Sequence, residues 1–508
     1  EQPSNSRGGN SKGGDAKNGD AKNGGLFPTF GDAKNGDAKN GDAKNKVLPL
    51  SPVQLAEKLA TAPAGCAIDI EAWVSADYAP LPTVVQAARQ IFQHEPLPSI
   101  RRAESAGIPQ LLNYLNRLVI DASQQRERHL VLITGVPGAG KTLVGLQFVY
   151  QNPLAVDAAP QAVFLSGNGP LIEVLQYALK NKVFVQPVRN FYIQHQVRRQ
   201  SAPSEHIIVF DEAQRAWDAG RMSEKYGIDQ AAGGTVLRIA ERIPDWAVVV
   251  GLIGEGQEIH VGEEDDIDQW QIGLQQAEKP WQVHCPERYG AVFTEVSQRL
   301  FADSCFDLTT SLRTHRAEAV QDWVNALLSA EIDLAASLIH PLWELGFRAY
   351  LTRDLDWAKQ YCRDRYSDQP DKRYGIVASS RAKNLARCGV ANDYKSTLKV
   401  KAGAWYIDPP DSPRSCCALD QVVTEFGCQG LELDMAVIAW GSDLVWQGGQ
   451  WVCNTRQRNV KDPRRLRLNS YRVLLSRGRD GIVVFVPPEA QMDATAEILQ
   501  RSGLREGS

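Results

Sequence analysis

The stretch Leu130-Val-Leu-Ile-Thr-Gly-Val-Pro-Gly-Ala-Gly-Lys-Thr142 constrains this chain more than any other, because an apolar run passes directly into a glycine-rich loop. A short apolar run bounded by turn residues predicts a buried strand, and Leu143 to Tyr150 predicts the helix that follows. Gly135, Gly138 and Gly140 lack the Cβ atoms that would block close approach. The backbone of Gly135, Val136, Pro137, Gly138, Ala139 and Gly140 can therefore close around a phosphate at a helix N-terminus. Lys141 then supplies a point charge and Thr142 a Mg²⁺ ligand, which makes the chain a nucleotide binder.

Further short apolar runs follow at Ala162–Leu165, His206–Phe210 and Ala247–Ile253, each succeeded by polar or glycine-rich residues. That alternation predicts an α/β fold with a parallel sheet. A second set, at Tyr374–Ser379, Met435–Trp440 and Gly481–Pro487, predicts a second sheet. Two nucleotide-fold lobes are expected, at 125–305 and 306–490, with 491–508 as a C-terminal tail. Residues 47–124 carry apolar residues at helical spacing and form a helical lead-in. Residues 1–46 contain five copies of Gly-Asp-Ala-Lys-Asn, glycine-rich and without an apolar face, so a disordered repeat linker is expected.

The 56 Lys and Arg against 60 Asp and Glu give a net charge of −4, so any nucleic-acid binding must use a local basic surface. Arg456 to Arg479 is the densest basic run; for the part before Asn469 a solvated basic loop is an equal alternative. No apolar run approaches the ~20 residues needed to cross a bilayer, so no membrane partner is expected. Nine scattered cysteines without a Cys-x-x-Cys pair point to a reducing compartment, and a cytoplasmic location is expected. Glu1 in place of methionine suggests that an upstream portion is missing or removed.

Ile207-Ile-Val-Phe-Asp-Glu-Ala-Gln214 is an apolar strand ending in two carboxylates, where ligand groups gather in open α/β sheets. Asp211 can hold Mg²⁺ while Glu212 orients the attacking water, because positioning and charge neutralisation dominate phosphoryl transfer. Two adjacent acids at a strand end could also be a simple helix cap.

Asp-Glu-Ala-Gln after such a loop resembles helicases of superfamily 1, and further boxes occur in that family's order. Val248 to Gln257 resembles the third, with Gly254-Glu255-Gly256-Gln257 a shortened form of the usual Gly-Asp-x-x-Gln. Leu308 to Arg316, Val423 to Glu432 and Asn469 to Arg479 resemble the fourth, fifth and sixth. The wording is closer still to the Schlafen group 3 type DNA/RNA helicase domain, through Glu71-Ala-Trp-Val-Ser-Ala-Asp-Tyr-Ala-Pro, Leu165-Ser-Gly-Asn-Gly-Pro-Leu, Gln429-Gly-Leu-Glu-Leu-Asp and Tyr471-Arg-Val-Leu-Leu-Ser-Arg-Gly-Arg.

The resemblance implies two RecA-like P-loop lobes with ATP and Mg²⁺ between them. It implies that Gln257 senses the γ-phosphate, that Gln214 and Gly430 lie against the nucleotide, that Glu432 approaches its ribose or relays the nucleotide state to bound nucleic acid, and that Arg313 and Arg477 reach across from the second lobe, Arg479 being the lesser alternative. A guanidinium there offsets developing charge. It also implies that Ser166, Gly167, Asn168 and Thr424 touch the backbone of single-stranded DNA or RNA, which predicts sequence-independent, salt-sensitive binding. Trp217, Trp270, Trp281, Trp405, Tyr406 and Trp440 are the aromatics from which a base-stacking partner could come, burial in the core being the commoner fate of each. The expected activity is that of an ATP-dependent helicase or single-strand translocase. The alternative is an ATP-gated nucleic-acid sensor or scaffold without processive unwinding; a small-molecule P-loop kinase accounts for neither Asp-Glu-Ala-Gln nor the second lobe.

Overall fold

The computed structural model describes residues 85, 87, 88, 90, 107–136, 138–151, 153–154, 161–198, 200–213, 222–223, 227–228, 231–254, 267–310, 315–454 and 462–507. The repeat linker and most of the expected lead-in lie outside them; the lead-in's last part is helix α1, Ile108–Gln125. Its buried face (Leu111, Leu115, Val119, Ala122) follows helical spacing and packs into the main core.

Two parallel sheets carry the chain, as two RecA-like lobes. The first contains β1 (Arg128–Gly135), β2 (Ala162–Ser166), β3 (Val185–Pro187), β4 (Ile207–Asp211), β5 (Ala247–Gly254), β6 (Gln282–Cys285) and β7 (Arg299–Ala302), in the order β3-β2-β4-β5-β1-β6-β7. A further strand, β8 (Asp307–Leu308), pairs with the end of β1. β5 thus separates the strand that feeds the phosphate loop from the strand that ends in the two carboxylates. Helices cover such sheets on both faces, which is why β1, β2, β4 and β5 read as continuous apolar runs. Helices α2 (Lys141–Tyr150) and α3 (Gly169–Leu179) follow β1 and β2.

The second sheet contains β9 (Arg348–Thr352), β10 (Tyr374–Ala378), β11 (Val422–Thr424), β12 (Leu433–Ala439), β15 (Gly478–Phe485) and β16 (Arg505–Glu506), in the order β11-β10-β12-β15-β9-β16. A separate antiparallel hairpin joins β13 (Leu444–Gln447) to β14 (Gln450–Cys453). Two helices matter for the site, α4 (Ala402–Ile407) and α5 (Pro463–Leu475). Residues 491–508, expected as a tail, instead include helix α6 (Asp493–Arg501) and β16, which pairs with β9 at the sheet's edge. Leu499 and Leu504 are buried there, an apolar signal too sparse to stand out in the sequence.

The aromatics considered for base stacking are core residues: Trp270, Trp281, Trp405, Tyr406 and Trp440 are all buried, and Trp217 lies outside the described residues. Burial in the core, the commoner fate expected for each, is what the structure shows for these five, so none of them offers a face for base stacking. Trp440, for example, packs on Trp451 and Tyr471 and donates its indole N–H to the Leu444 carbonyl.

Candidate nucleotide site and the cleft between the lobes

β1 and β5 end side by side, Gly135 being the register partner of Gly254. Beyond Gly135 the chain turns through Gly138 (φ 82°) and Gly140 (φ 87°), left-handed conformations that L side chains resist. Gly140 is the N-cap of α2, so the loop hands its N–H groups to the helix start. Lys141 Nζ donates to the carbonyls of Gly135 (2.6 Å) and Val136 (3.0 Å), which folds the cation back over the loop. The Val136 N–H donates to the Leu308 carbonyl at 3.1 Å, so the fourth box begins in contact with the phosphate loop. Arg313, Pro137, Gln214 and Gln257 are outside the described residues.

Asp211, the last residue of β4, is the register partner of Ser166 and accepts from the Thr142 hydroxyl at 3.2 and 3.3 Å. Burial, then the neighbouring Glu212 charge, pushes the Asp211 carboxyl up to about 7, against the pull of Thr142 and Lys141. Glu212 itself has φ 56°, a conformation costing a non-glycine residue ~1–3 kcal/mol and found where function holds the backbone. Lys141 only partly offsets the charge of the buried Asp211 and its neighbouring acid. The Thr142 hydroxyl and Asp211 carboxylate form an all-oxygen pair suited to a hard divalent cation, so the residues fit Mg²⁺.

In the second lobe the Arg477 guanidinium donates to the Val473 carbonyl (2.8 Å) and, across the fifth box, to the Leu431 carbonyl (3.0 Å). Gly430 in that box has φ 74°, and a Cβ there would strike the Asn168 amide of the first lobe. Glu432 pairs with Arg479 at 3.7 Å, and its carbonyl accepts from Tyr406 Oη at 2.7 Å. Thr424 ends β11 and is buried.

Asn168 caps α3 by accepting from the Leu171 N–H (3.3 Å), takes Ser166 Oγ with its own N–H (3.2 Å), and donates to the Gln429 carbonyl of the other lobe (3.2 Å). Of the expected strand-contacting residues only Gly167 is exposed; Ser166 and Asn168 have their side chains turned to hydrogen bonds inside the protein. A second bridge lies further along α3, where Tyr177 Oη donates to Asp408 at 2.6 Å. A Cβ at Gly403 of α4 would sit 2.6 Å from the Tyr177 Cβ, so the two lobes approach to glycine distance. No spacing rule announces Tyr177 or Asp408, since the contact joins residues 231 apart.

The sequence also gave no hint of the charged cluster beneath the ends of β10, β11 and β12. Arg467 on α5, 2 % exposed, donates to Ser379 Oγ (2.6 Å) and Glu425 (3.2 Å), with its Nε 3.4 Å from Asp443. Glu425 also accepts from the N–H (2.8 Å) and hydroxyl (2.9 Å) of Ser380, and Asp443 from Tyr471 Oη (2.8 Å). Burial raises the Asp443 pKa although Ser379, Arg467 and Tyr471 all pull it down. The cluster fixes the fifth box, through Glu425, to the sixth, through Tyr471.

The family model of the Schlafen group 3, DNA/RNA helicase domain matches residues 128–488, from the first residue of β1 to just beyond β15. The chain belongs to this family. Its phosphate loop, its carboxylate pair and the bridged fifth and sixth boxes all fall inside the matched span. No match is found among curated proteins. Among solved structures the chain is similar to a Pif1 helicase from Bacteroides in complex with ADP-AlF3 and ssDNA, at 13% identity over 74% of this chain and 93% of that one, TM-score 0.29. A structure of two coordinating Pif1 helicases on forked dsDNA gives 13%, 78%, 97% and 0.29. The helicase domain of Pyrococcus furiosus Hef gives 14%, 74%, 95% and 0.24. At these values no residue role is transferred. Among the described residues no helix is long and apolar enough to cross a membrane.

One residue beside the loop had no motif to reveal it. Arg288 donates to Thr134 Oγ1 at 2.9 Å and to Asp307 at 3.2 Å, placing a guanidinium against the residue that precedes Gly135. It comes from a turn, Glu287–Tyr289, that only the fold brings to β1.

Proposed function

We propose that the chain is an ATP-dependent DNA/RNA helicase or single-strand translocase that hydrolyses ATP between its two lobes. The observation that carries this reading is the convergence of Lys141, Thr142, Asp211 and the left-handed Glu212 beyond the ends of β1 and β4, the two strands that flank β5, within a helicase-domain family.

In this reading the loop from Gly135 to Gly140 cradles the β- and γ-phosphates, and Lys141 exchanges its two carbonyl partners for phosphate oxygens. Thr142 and Asp211 hold Mg²⁺, which supplies charge neutralisation to the transferred phosphoryl group. Glu212 accepts a proton from the water that it orients, with Gln257 and Gln214 assigned to the same phosphate. Arg313 and Arg477 approach from the second lobe; Arg477 must leave the Leu431 carbonyl to do so, which ties its arrival to movement of the fifth box, Gly430 and Glu432 included. Ser166, Gly167, Asn168 and Thr424 hold the strand's backbone when the Asn168 bridge to Gln429 opens. Alternate grip by the two lobes then moves the strand one step per ATP.

A second reading, an ATP-gated sensor that closes on nucleic acid without moving along it, draws support from the two bridges between the lobes, Asn168 to Gln429 and Tyr177 to Asp408. Strand displacement separates the two. A labelled partial duplex opened by the chain with ATP and Mg²⁺, and not with Glu212→Gln, supports the translocase; tight ATP-dependent binding with no displacement supports the sensor.

A further inference from the structure

The basic run from Arg456 to Arg479 is surface only in part, Arg464 and Arg465 being exposed, while Arg456, Arg458 and Lys461 lie outside the described residues. Arg467 is enclosed in the buried cluster, Arg472 donates to Asn325 and Asn469, and Arg477 and Arg479 are engaged with the fifth box. A second group of exposed cations stands elsewhere in the lobe. Between 381 and 401 stand Arg381, Lys383, Arg387, Lys395, Lys399 and Lys401, all exposed, with a single acid, Asp393. That acid is occupied, accepting from the N–H groups of Lys395 and Ser396 and from the Ser396 hydroxyl. Among the described residues none of the six cations forms an ion pair. A concentration of unpaired positive charge on a chain whose net charge is −4 marks this face for a polyanion.

The same face bears the most exposed aromatics of the lobe. Tyr394 is 77 % exposed and Phe426 56 %. β10 and β11 end in register at Ala378 and Thr424, so Arg381 and Phe426 emerge from adjoining strand ends. The turn of helix Tyr394–Leu398 packs against β11. The platform is pinned from below: Asn392 donates to the carbonyls of Ser379 (2.7 Å) and Ala382 (2.8 Å), Asn384 accepts from the Ser442 N–H (2.9 Å), and Arg467 holds Ser379 and Glu425. A rigid base carrying fixed cations and free aromatic faces is what a single strand requires, charge for its phosphates and rings for its bases. A membrane is a poorer fit, because the helical turns here, Lys383–Cys388 and Tyr394–Leu398, have six and five residues and cannot present an amphipathic face of useful length.

We infer that residues 381–401 together with Phe426 form the second lobe's track for a single-stranded nucleic acid, with Phe426 and Tyr394 stacking on bases and the six cations following the backbone. This rests on the reading of the chain as a binder of single strands and adds the residues that grip them. The test is fluorescence anisotropy of labelled oligo-dT and oligo-rU, about twenty nucleotides long, with the full chain between about 50 and 200 mM salt. The variants are Arg381→Glu with Lys383→Glu, Lys395→Glu with Lys399→Glu, Tyr394→Ala and Phe426→Ala; Arg501→Glu on α6 is the charge control.

Each double charge reversal is expected to weaken binding tenfold or more and to flatten the log–log salt dependence by about 0.7 per phosphate contact removed. Each aromatic truncation is expected to weaken binding about five- to 150-fold without altering that slope. Photocrosslinking of 5-iodouracil strands to peptides containing Tyr394 or Phe426 gives a readout independent of variant folding. Wild-type binding that all four variants retain, with crosslinks elsewhere, overturns the track but leaves the functional reading intact. A wild-type chain that binds neither polymer overturns both. Adhesion to phosphatidylserine vesicles that the charge reversals abolish while strand affinity stays constant would overturn it in favour of a membrane surface.

Discussion

Replacing Arg467 with leucine tests whether the buried cluster is what holds the fifth and sixth boxes together. In the native protein one guanidinium, 2 % exposed, faces Glu425 (3.2 Å) and Asp443 (3.4 Å), themselves 5 % and 2 % exposed. Leucine leaves two buried carboxylates without a cation, and breaking a buried pair from one side costs about 3–5 kcal/mol. The pH dependence follows from the Asp443 pKa, already raised by burial with Arg467 present. Without Arg467 it rises further, so the folded variant binds a proton that the unfolded chain releases above about pH 4. The cost is then largest at high pH and shrinks as pH falls and the carboxyls protonate. Urea unfolding followed by tryptophan fluorescence should show the full loss at pH 8 and a clearly smaller one at pH 5.5, with partial recovery in Arg467→Leu, Asp443→Asn. A loss under about 1 kcal/mol, or the same loss at both pH values, would refute this account.

His129 and His284 share a hydrogen bond (2.9 Å) in the first lobe, with Tyr114 Oη on the far nitrogen of His284 (2.7 Å), and burial lowers their pKa values to about 4 and about 3. Their stabilisation is present above about pH 6.5 and lost as pH falls from there through the folded values, at ~1.4 kcal/mol per pH unit for each proton. His284→Phe should reduce that slope by about one proton in urea titrations between pH 6 and 4.5; an unchanged slope would show that the pair does not drive acid unfolding. Gly403→Ala, whose Cβ would press on Tyr177, should widen the distance between dyes on the two lobes, measured by energy transfer, with a cost of about 1–3 kcal/mol if the lobes stay docked. Neither a distance change nor a stability loss would mean that the lobes are not packed there. Gly140→Ala, forced to φ 87°, should lose ATP binding at least tenfold in calorimetry while the fold melts within a few degrees of wild type. Retained affinity would show that the left-handed turn is dispensable.

The sequence made the strands that carry the site legible because each is a continuous apolar run, buried on both faces: β1, β2, β4, β5, β10, β12 and β15 all lie where the pattern puts them. The short strands β3, β7, β8, β11 and β16 escaped because two to four residues hold no periodicity. Thr142 and Asp211 could be paired from motif spacing, and the structure brings their oxygens together. The exposed cations of residues 381–401 escaped notice beside the denser run around Arg464, because composition counts charges without showing which of them are exposed together. Arg467 looks like a surface cation in the sequence and is among the most enclosed charges of the fold. The contacts from Asn168 to Gln429 and from Tyr177 to Asp408 join distant segments that only the folded sheets align.

The most direct test of the central claim is steady-state ATP hydrolysis by the chain and by Glu212→Gln, with and without single-stranded DNA or RNA, at low and high salt. The account predicts stimulation by at least one polymer, weakened by salt, and a fall of about a hundredfold or more in the variant while ATP still binds. Turnover that ignores every added strand, or that survives loss of the Glu212 carboxylate, would contradict it.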